Sequence, residues 1–289
     1  MSTTLTRPVY WTVRRELWEN RSIYLAPGIV AGLEVAAMLI SSTHHGVEFQ
    51  VDGDTGNEHT QVILSAIYSG LGLPILFTTL IVAAFYCLDT LYSERRDRSI
   101  LFWKSLPVSD TVTVLSKALV PFVILPAITL ALICITQIVA LLMTVTLFRL
   151  NGADSSVLWN VPFLTMPVTL AYALTAMSLW YAPLYGWLFL VSAFAKRKAI
   201  LWAVLPPLAI SLTEIVAFRT HYMSDLLKDR FLGFMGVAFD VSNPSSFILD
   251  LGRLTPGSLL SSIDLWAGVA VAALFFAAAI KLRRYRDAS

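Results

Sequence analysis

Residues Thr111–Leu147 read TVTVLSKALVPFVILPAITLALICITQIVALLMTVTL, a run in which Lys117 is the one charged side chain. A bilayer core is crossed by about 20 apolar residues of helix. Two such helices and a turn would need about 42–45 residues, which this run does not offer, and it has no charged centre at which to turn. It therefore reads as one long, tilted helix kinked at Pro121 and Pro126. Five further apolar segments flank it: Ser22–Ser42, Gln61–Leu88, Val161–Ala195, Ala199–Phe218 and Ile263–Leu282. Val161–Ala195 is again too short for two spans and is expected to be a single helix kinked at Pro167 and Pro183. The expectation is an all-α polytopic membrane protein with six transmembrane helices.

Composition points the same way. The 289 residues are 57% hydrophobic and 14% charged, and mean hydropathy is +0.71. Soluble domains run at about 45–50% apolar and about 25% charged. An ordinary soluble domain, a disordered chain, a collagen-like repeat and a disulfide scaffold are therefore excluded. Cys87 and Cys134 lie in apolar stretches and read as small buried hydrophobes. A net charge of +2 gives no basis for a nucleic-acid partner.

The distribution of charge is more informative. Basic residues cluster at Arg7, Arg14, Arg15 and Arg21; at Arg95, Arg96, Arg98 and Lys104; at Lys196–Lys198; and at Lys281, Arg283, Arg284 and Arg286. With six spans all four clusters fall on one side, and they hold 15 of the 21 Lys and Arg residues. The first loop on the other side has no Lys or Arg but carries Glu48, Asp52, Asp54 and Glu58. The positive-inside rule then puts both termini in the cytoplasm. The first span is too long for a signal-peptide core and no small-x-small site follows it closely, so it is expected to stay in the mature protein. The layout is a cytoplasmic N-terminus over residues 1–21, a transmembrane domain over 22–282, and a cytoplasmic tail over 283–289. A cytoplasmic segment spans 89–110 and an external one 219–262.

Within residues 1–21, Val9–Arg21 has apolar Val9, Val13 and Leu17 at i, i+4 and i+8, flanked by Trp11 and Trp18, with Arg14, Arg15 and Glu16 on the polar side. That is the pattern of a helix lying in the membrane interface. In 89–110, a charged turn at Glu94–Arg98 precedes Ser99, a good N-cap. Ile100–Leu106 then forms a compact apolar helix stopped by Pro107, whose exposed Ile, Leu, Phe and Trp need membrane or a partner protein as cover. In 219–262, the runs Phe231–Phe239 and Phe247–Leu251 are too short to span a bilayer and fit a re-entrant or interfacial helix shielded by protein.

Motifs for catalysis are absent. There is no Gly-x-x-x-x-Gly-Lys-Ser/Thr phosphate loop, no His-Glu-x-x-His and no Gly-x-Ser-x-Gly. His44, His45, His59 and His221 fall on the external side and, with the acids of the first loop, could bind a metal. Their spacing is not diagnostic, and a solvated acidic loop is the favoured reading.

The run Ser93–Asp110, SERRDRSILFWKSLPVSD, followed by Lys117, resembles the segment after the second helix of ABC-2-type ABC transporter permeases: Glu-Arg, a cap, a short apolar helix, Leu-Pro-Val-Ser, and a Lys at the start of the third helix. The resemblance covers the whole chain in layout and about 25 residues in motif. Arg98 departs from it, since the family usually has Gly there, while Ser99 keeps the cap. The Glu-Ala-Ala loop of classical importers is absent. The resemblance implies the permease subunit of an ATP-driven exporter, not itself an enzyme, working as a dimer of two permeases in the inner membrane. It binds no cofactor of its own; ATP and Mg belong to a separate cytoplasmic ATPase subunit. Val9–Arg21 would be the elbow helix and Ile100–Leu106 the coupling helix. Glu94, Arg95, Arg96, Ser99, Ile100, Leu101, Trp103 and Leu106 would couple to the ATPase.

Gly28 and Gly32 make a Gly-x-x-x-Gly step that lets two helices approach closely. In the family resembled, the first and fifth spans meet at the dimer axis. Glu34 lies about 20 Å and Glu214 about 24 Å along their helices from the cytoplasmic ends. Each should therefore face protein or a water-filled cavity, and in a dimer they would form a ring of four acids suited to a cationic substrate. The alternative is a stand-alone ion- or proton-coupled transporter using Glu34 and Glu214, although matched repeat halves are not found.

Overall fold

The computed structural model describes residues 3–44, 67–68, 70–97, 109–150, 165–239 and 254–285. The helices, in chain order, are α1 (Thr3–Glu19), α2 (Ser22–His44), α3 (Gly72–Asp89), α4 (Tyr92–Arg96), α5 (Asp110–Leu150), α6 (Met166–Trp180), α7 (Ala182–Phe194), α8 (Ala199–Phe218), α9 (Tyr222–Leu232), α10 (Phe234–Ala238), α11 (Pro256–Ser261) and α12 (Ile263–Tyr285). One antiparallel bridge, Phe239 to Leu254, is the β-structure among the described residues. Five helical stretches are long and apolar enough to cross a membrane: α2, α3 with α4, α5, α8 and α12. The bent pair α6–α7 makes a sixth when taken as one span. The architecture is all-α and polytopic.

α5 runs unbroken across Asp110–Leu150. Pro121 has no N–H to give the Lys117 carbonyl four residues back, and its ring crowds that carbonyl. The helix relaxes into a π turn over Val120–Ile124, and the Lys117 carbonyl accepts instead from the Val120 amide and, at 3.4 Å, from the Tyr86 hydroxyl. The stretch expected as one helix over Val161–Ala195 is instead broken. Tyr181 leaves helical geometry, with φ −83° and ψ 3°, and α6 and α7 meet at 50°. Pro183 in the first turn of α7 lacks the N–H that would carry the ladder across this point. The N-terminal helix starts six residues earlier than expected and ends at Glu19, with the turn into α2 at Asn20–Arg21.

The core lies where α3, α5, α6, α7 and α12 converge, around Ile75, Leu125, Leu174, Phe189 and Leu265. Phe189 packs on Phe276 with centroids 5.1 Å apart, and Phe122 stands edge-on to Tyr185 at 5.4 Å. Gly186 lets α7 approach α12, since a Cβ there would sit 3.2 Å from both Cα and carbonyl oxygen of Ala272. Polar pairs tie α3 to α5: the Thr79 and Thr129 hydroxyls share a hydrogen bond of 2.8 Å. The Tyr68 hydroxyl donates to Thr144 Oγ1 at 2.8 Å.

At the far end of the bundle, α9 and α10 cover the α6–α7 break. Trp180 Nε1 donates to the carbonyls of Asp229 and Arg230 at 3.3 and 3.2 Å, and the Tyr181 hydroxyl donates to that of Phe231 at 3.0 Å. The apolar run Phe231–Phe239 folds as short helices in which Ala238 is buried, while Phe231, Leu232 and Met235 are exposed rather than shielded by the described residues. Phe247–Leu251 lies outside the described residues.

Candidate functional site

At the other end, four elements meet in a buried ion cluster. α1 supplies Arg15 and Glu16, α4 supplies Glu94, α5 supplies Asp110 and Lys117, and α12 supplies Arg283. Ser109 caps α5 by accepting from the Val112 amide at 3.3 Å. This sets Asp110 in the first turn of α5, where a negative charge suits the helix dipole, as Arg283 suits the last turn of α12. Lys117 Nζ lies 2.7 Å from Glu16 Oε1 and 3.2 Å from Glu94 Oε1. Arg15 Nη2 is 2.7 Å from Glu16 and 3.5 Å from Glu94. Arg283 pairs through Nη1 with Glu94 Oε2, and through Nε with Asp110 Oδ1 at 3.0 Å. Lys117 also donates to Thr90 Oγ1 at 3.0 Å, and the Tyr86 hydroxyl to Glu16 Oε2 at 3.0 Å.

Glu16 is 1% exposed, Lys117 2%, Arg283 5% and Glu94 6%. Arg15, Lys117 and Arg283 face Glu16, Glu94 and Asp110, three cations to three carboxylates, and exposed Glu19 lies at the edge, 3.5 Å from Arg15 Nε. Charges this deep persist only when paired and hydrogen-bonded. Burial alone would raise the Glu16 carboxyl, but the Lys117 ammonium and Arg15 guanidinium outweigh it and hold the group below its ordinary value.

The same end gathers described members of all four basic clusters of the sequence. Arg95 Nη2 donates to the Ser192 carbonyl and, at 3.0 Å, to that of Ala195. The Ser192 hydroxyl accepts from the amides of Leu91 and Tyr92, both at 3.0 Å. The turn Lys196–Lys198 therefore sits beside Arg95, while Arg15 and Arg283 share Glu94. A bundle crossed an even number of times between these clusters produces this convergence.

The structure separates the residues singled out from sequence. Glu94 is inside the cluster. Arg95 is occupied with α7, and Arg96 is exposed, pairing with Asp97 at 2.9 Å. Ser99, Ile100, Leu101, Trp103 and Leu106 lie outside the described residues, directly before Ser109 and the cluster member Asp110. Gly28 and Gly32 lie on a face of α2 where an added Cβ would meet nothing among the described residues within 4 Å. Glu34 lies between Ala31 and Met38, which pack into the core; its carboxylate oxygens are buried and have no hydrogen-bond partner among the described residues. Glu214 is committed differently: its Oε2 accepts the Met223 amide at 2.9 Å, capping the first turn of α9.

Sequence reasoning missed the cluster. Glu16, read on the polar side of its helix, is the residue through which α1 docks. The aromatic residues face outward instead, with Arg14 stacked over Trp11 and Trp18 at 5.4 and 4.7 Å. The signal was Lys117, the single charge in an apolar run, which demands a buried counter-charge. Among the described residues no group of three or more His, Cys, Asp or Glu is placed to hold a metal ion. His45, His59, Glu48, Asp52, Asp54 and Glu58 fall outside them. Compared with protein-family models, curated proteins and solved structures, the chain matches none.

Proposed function

We propose that the chain is the permease subunit of an ATP-driven ABC exporter, working as a dimer in the inner membrane with both termini cytoplasmic and driven by a separate ATPase subunit. The observation that carries the reading is the clamp around residues 98–108. Glu94 just before this segment and Asp110 just after it share Arg283, and Glu94 and Glu16 share Lys117. Force applied to Ile100–Leu106 by a partner would pass through the cluster to four elements at once: α1, α3 with α4, α5 and α12. Such a junction suits a rocking or gating transition. The convergence of the basic clusters supports a cytoplasmic location for this end.

The dimer reading is supported by exposure. α2 and α8 are the least buried of the five unbroken spans, and the Gly28–Gly32 step of α2 is uncovered. Cysteines placed at Ile29 and Leu33, on this exposed face, should cross-link between two copies; links confined to one chain would count against it.

The assignment is tested by purifying the tagged full chain from its native membrane in mild detergent. A stoichiometric ATP-hydrolysing chain should accompany it. Leu101→Glu with Trp103→Glu should release that chain or abolish its coupling. A complex that stays assembled and fully active with both substitutions would overturn the docking role of this helix.

One observation favours the second reading, an ion- or proton-coupled carrier. Glu34 keeps both carboxylate oxygens buried inside a span, with no hydrogen-bond partner among the described residues, the setting of a transport acid. Efflux abolished by a protonophore while ATP is maintained, and lost in Glu34→Gln, would favour it over the exporter.

A further inference from the structure

Tyr10, Trp11, Arg14 and Trp18 fall on the face of α1 turned away from the ion cluster, and all four are exposed, the two indoles at 57% and 63%. On the other side of the helix Glu16 is buried against Lys117. Leu17, part of the apolar stripe that spacing alone would lay in the membrane, packs on the core. Arg14 Cζ lies 5.4 Å from the Trp11 ring centroid and 4.7 Å from that of Trp18, and the Tyr10 ring meets Trp11 edge-on at 5.5 Å. Among the described residues no carboxylate pairs with Arg14, whereas its neighbour Arg15 holds Glu16 and Glu19. Stacking on aromatic rings occupies the flat faces of a guanidinium and leaves its N–H edge for an oxyanion.

The spans fix the depth of this face. α5 is 41 residues, about 60 Å of helix, and overhangs a hydrocarbon core of about 30 Å by about 15 Å at each end. Lys117, on which Glu16 docks α1, lies about 11 Å in from the start of α5, outside the hydrocarbon and level with the headgroups. The turn from α1 into the span α2 is tight: the Ile23 amide donates to the Asn20 carbonyl at 3.1 Å and the Leu25 amide to that of Arg21 at 3.0 Å. Trp and Tyr concentrate at this depth, where one end of the ring is apolar and the other wet, and phosphate is the oxyanion found there. We propose that Tyr10, Trp11, Arg14 and Trp18 form a lipid-binding face, with the rings among the headgroup ends of the acyl chains and Arg14 on the phosphate of one phospholipid. A soluble acidic partner would satisfy Arg14 but would leave the rings to lipid. The face is independent of the transport reading, because it needs neither a dimer nor an ATPase.

The chain has eight tryptophans, so the signal to read is the fluorescence lost in Trp11→Phe with Trp18→Phe. In the full chain reconstituted into phosphatidylglycerol bilayers, that fraction should be quenched by phospholipid brominated high on its acyl chains, and little by acrylamide in the water. Quenching by acrylamide instead would put the face in water, and quenching by neither would put it under protein; either result overturns the lipid face. Delipidated full chain in detergent is then titrated with brominated phosphatidylglycerol and with brominated diacylglycerol, which lacks the phosphate. Arg14→Gln should raise the phosphatidylglycerol concentration at half-quenching about 5-fold, the effect of removing one cation near a headgroup, and should leave the diacylglycerol titration unchanged. No shift with phosphatidylglycerol, or the same shift with both lipids, would overturn the phosphate contact.

Discussion

Lys117 stands alone in its apolar run, and hydrocarbon offers a lone ammonium no counter-charge. The fold supplies two, Glu16 and Glu94, at 2.7 and 3.2 Å. Breaking a buried pair by removing one partner is strongly destabilising, at about 3–5 kcal/mol, because the other charge stays buried and uncompensated. Glu16→Gln and Lys117→Gln should each show a loss of this size in thermal unfolding of the purified protein. The double variant should fall short of the sum by about 1–3 kcal/mol, the mark of directly coupled residues; additive losses would mean that the two do not act as a pair. Glu214 calls for a different comparison. Its carboxylate caps α9 through the Met223 amide, a role that a glutamine oxygen can fill. Glu214→Gln should leave hydrogen exchange in the first turn of α9 nearly unchanged, whereas Glu214→Ala should loosen it by about 0.5–2 kcal/mol. A transport role for its charge would show in activity, with Gln and Ala equally deficient.

Among the described elements, the closest approach of one helix to another helix's backbone at a glycine is between α7 and α12. An alanine at 186 would place its Cβ 3.2 Å from the Ala272 backbone, and backbone cannot swing aside as a side chain can. Gly186→Ala should lower stability by about 1–3 kcal/mol. Gly28→Ala meets nothing within 4 Å and replaces a poor helix former with the best one. It should leave the unfolding of the single chain unchanged or slightly improved, while weakening cross-linking between copies. Equal destabilisation by the two substitutions would show that α2 is packed within the chain after all. The elements themselves were legible in the sequence because each span is apolar on every face, a pattern that only a membrane-crossing helix needs over that length. The bend at Tyr181 was not. Pro167 and Pro183 mark where a helix is weakened, but whether it kinks or breaks depends on α9, whose carbonyls accept from Trp180 and Tyr181. Hydropathy says nothing of those contacts.

For the whole molecule, the ion cluster joins segments far apart in sequence: Glu16 and Lys117 are separated by 101 positions, and Glu94 and Arg283 by 189. That separation is why the site was illegible. Sequence patterning counts charges near a helix end but does not pair them, and Glu16 and Asp110 looked like ordinary solvated residues. The same connectivity makes the cluster sensitive to acid in a calculable direction. The Glu16 carboxyl is held below its ordinary value of 4.5 in the folded chain, so the folded state binds this proton less readily than the unfolded one. Its contribution to stability is fully present above pH 4.5 and is lost as pH falls through the lowered native value. Protonation would leave Lys117 with Glu94 as its one carboxylate among the described residues and loosen the anchor of α1. The unfolding midpoint should therefore be flat from neutral pH down to about 5 and decline below about 4.5. Glu16→Gln, which carries no titrating carboxyl, should start lower and show a shallower decline over the same range. A variant whose acid profile runs parallel to that of the natural chain would show that other carboxylates govern the acid transition and that Glu16 does not anchor α1.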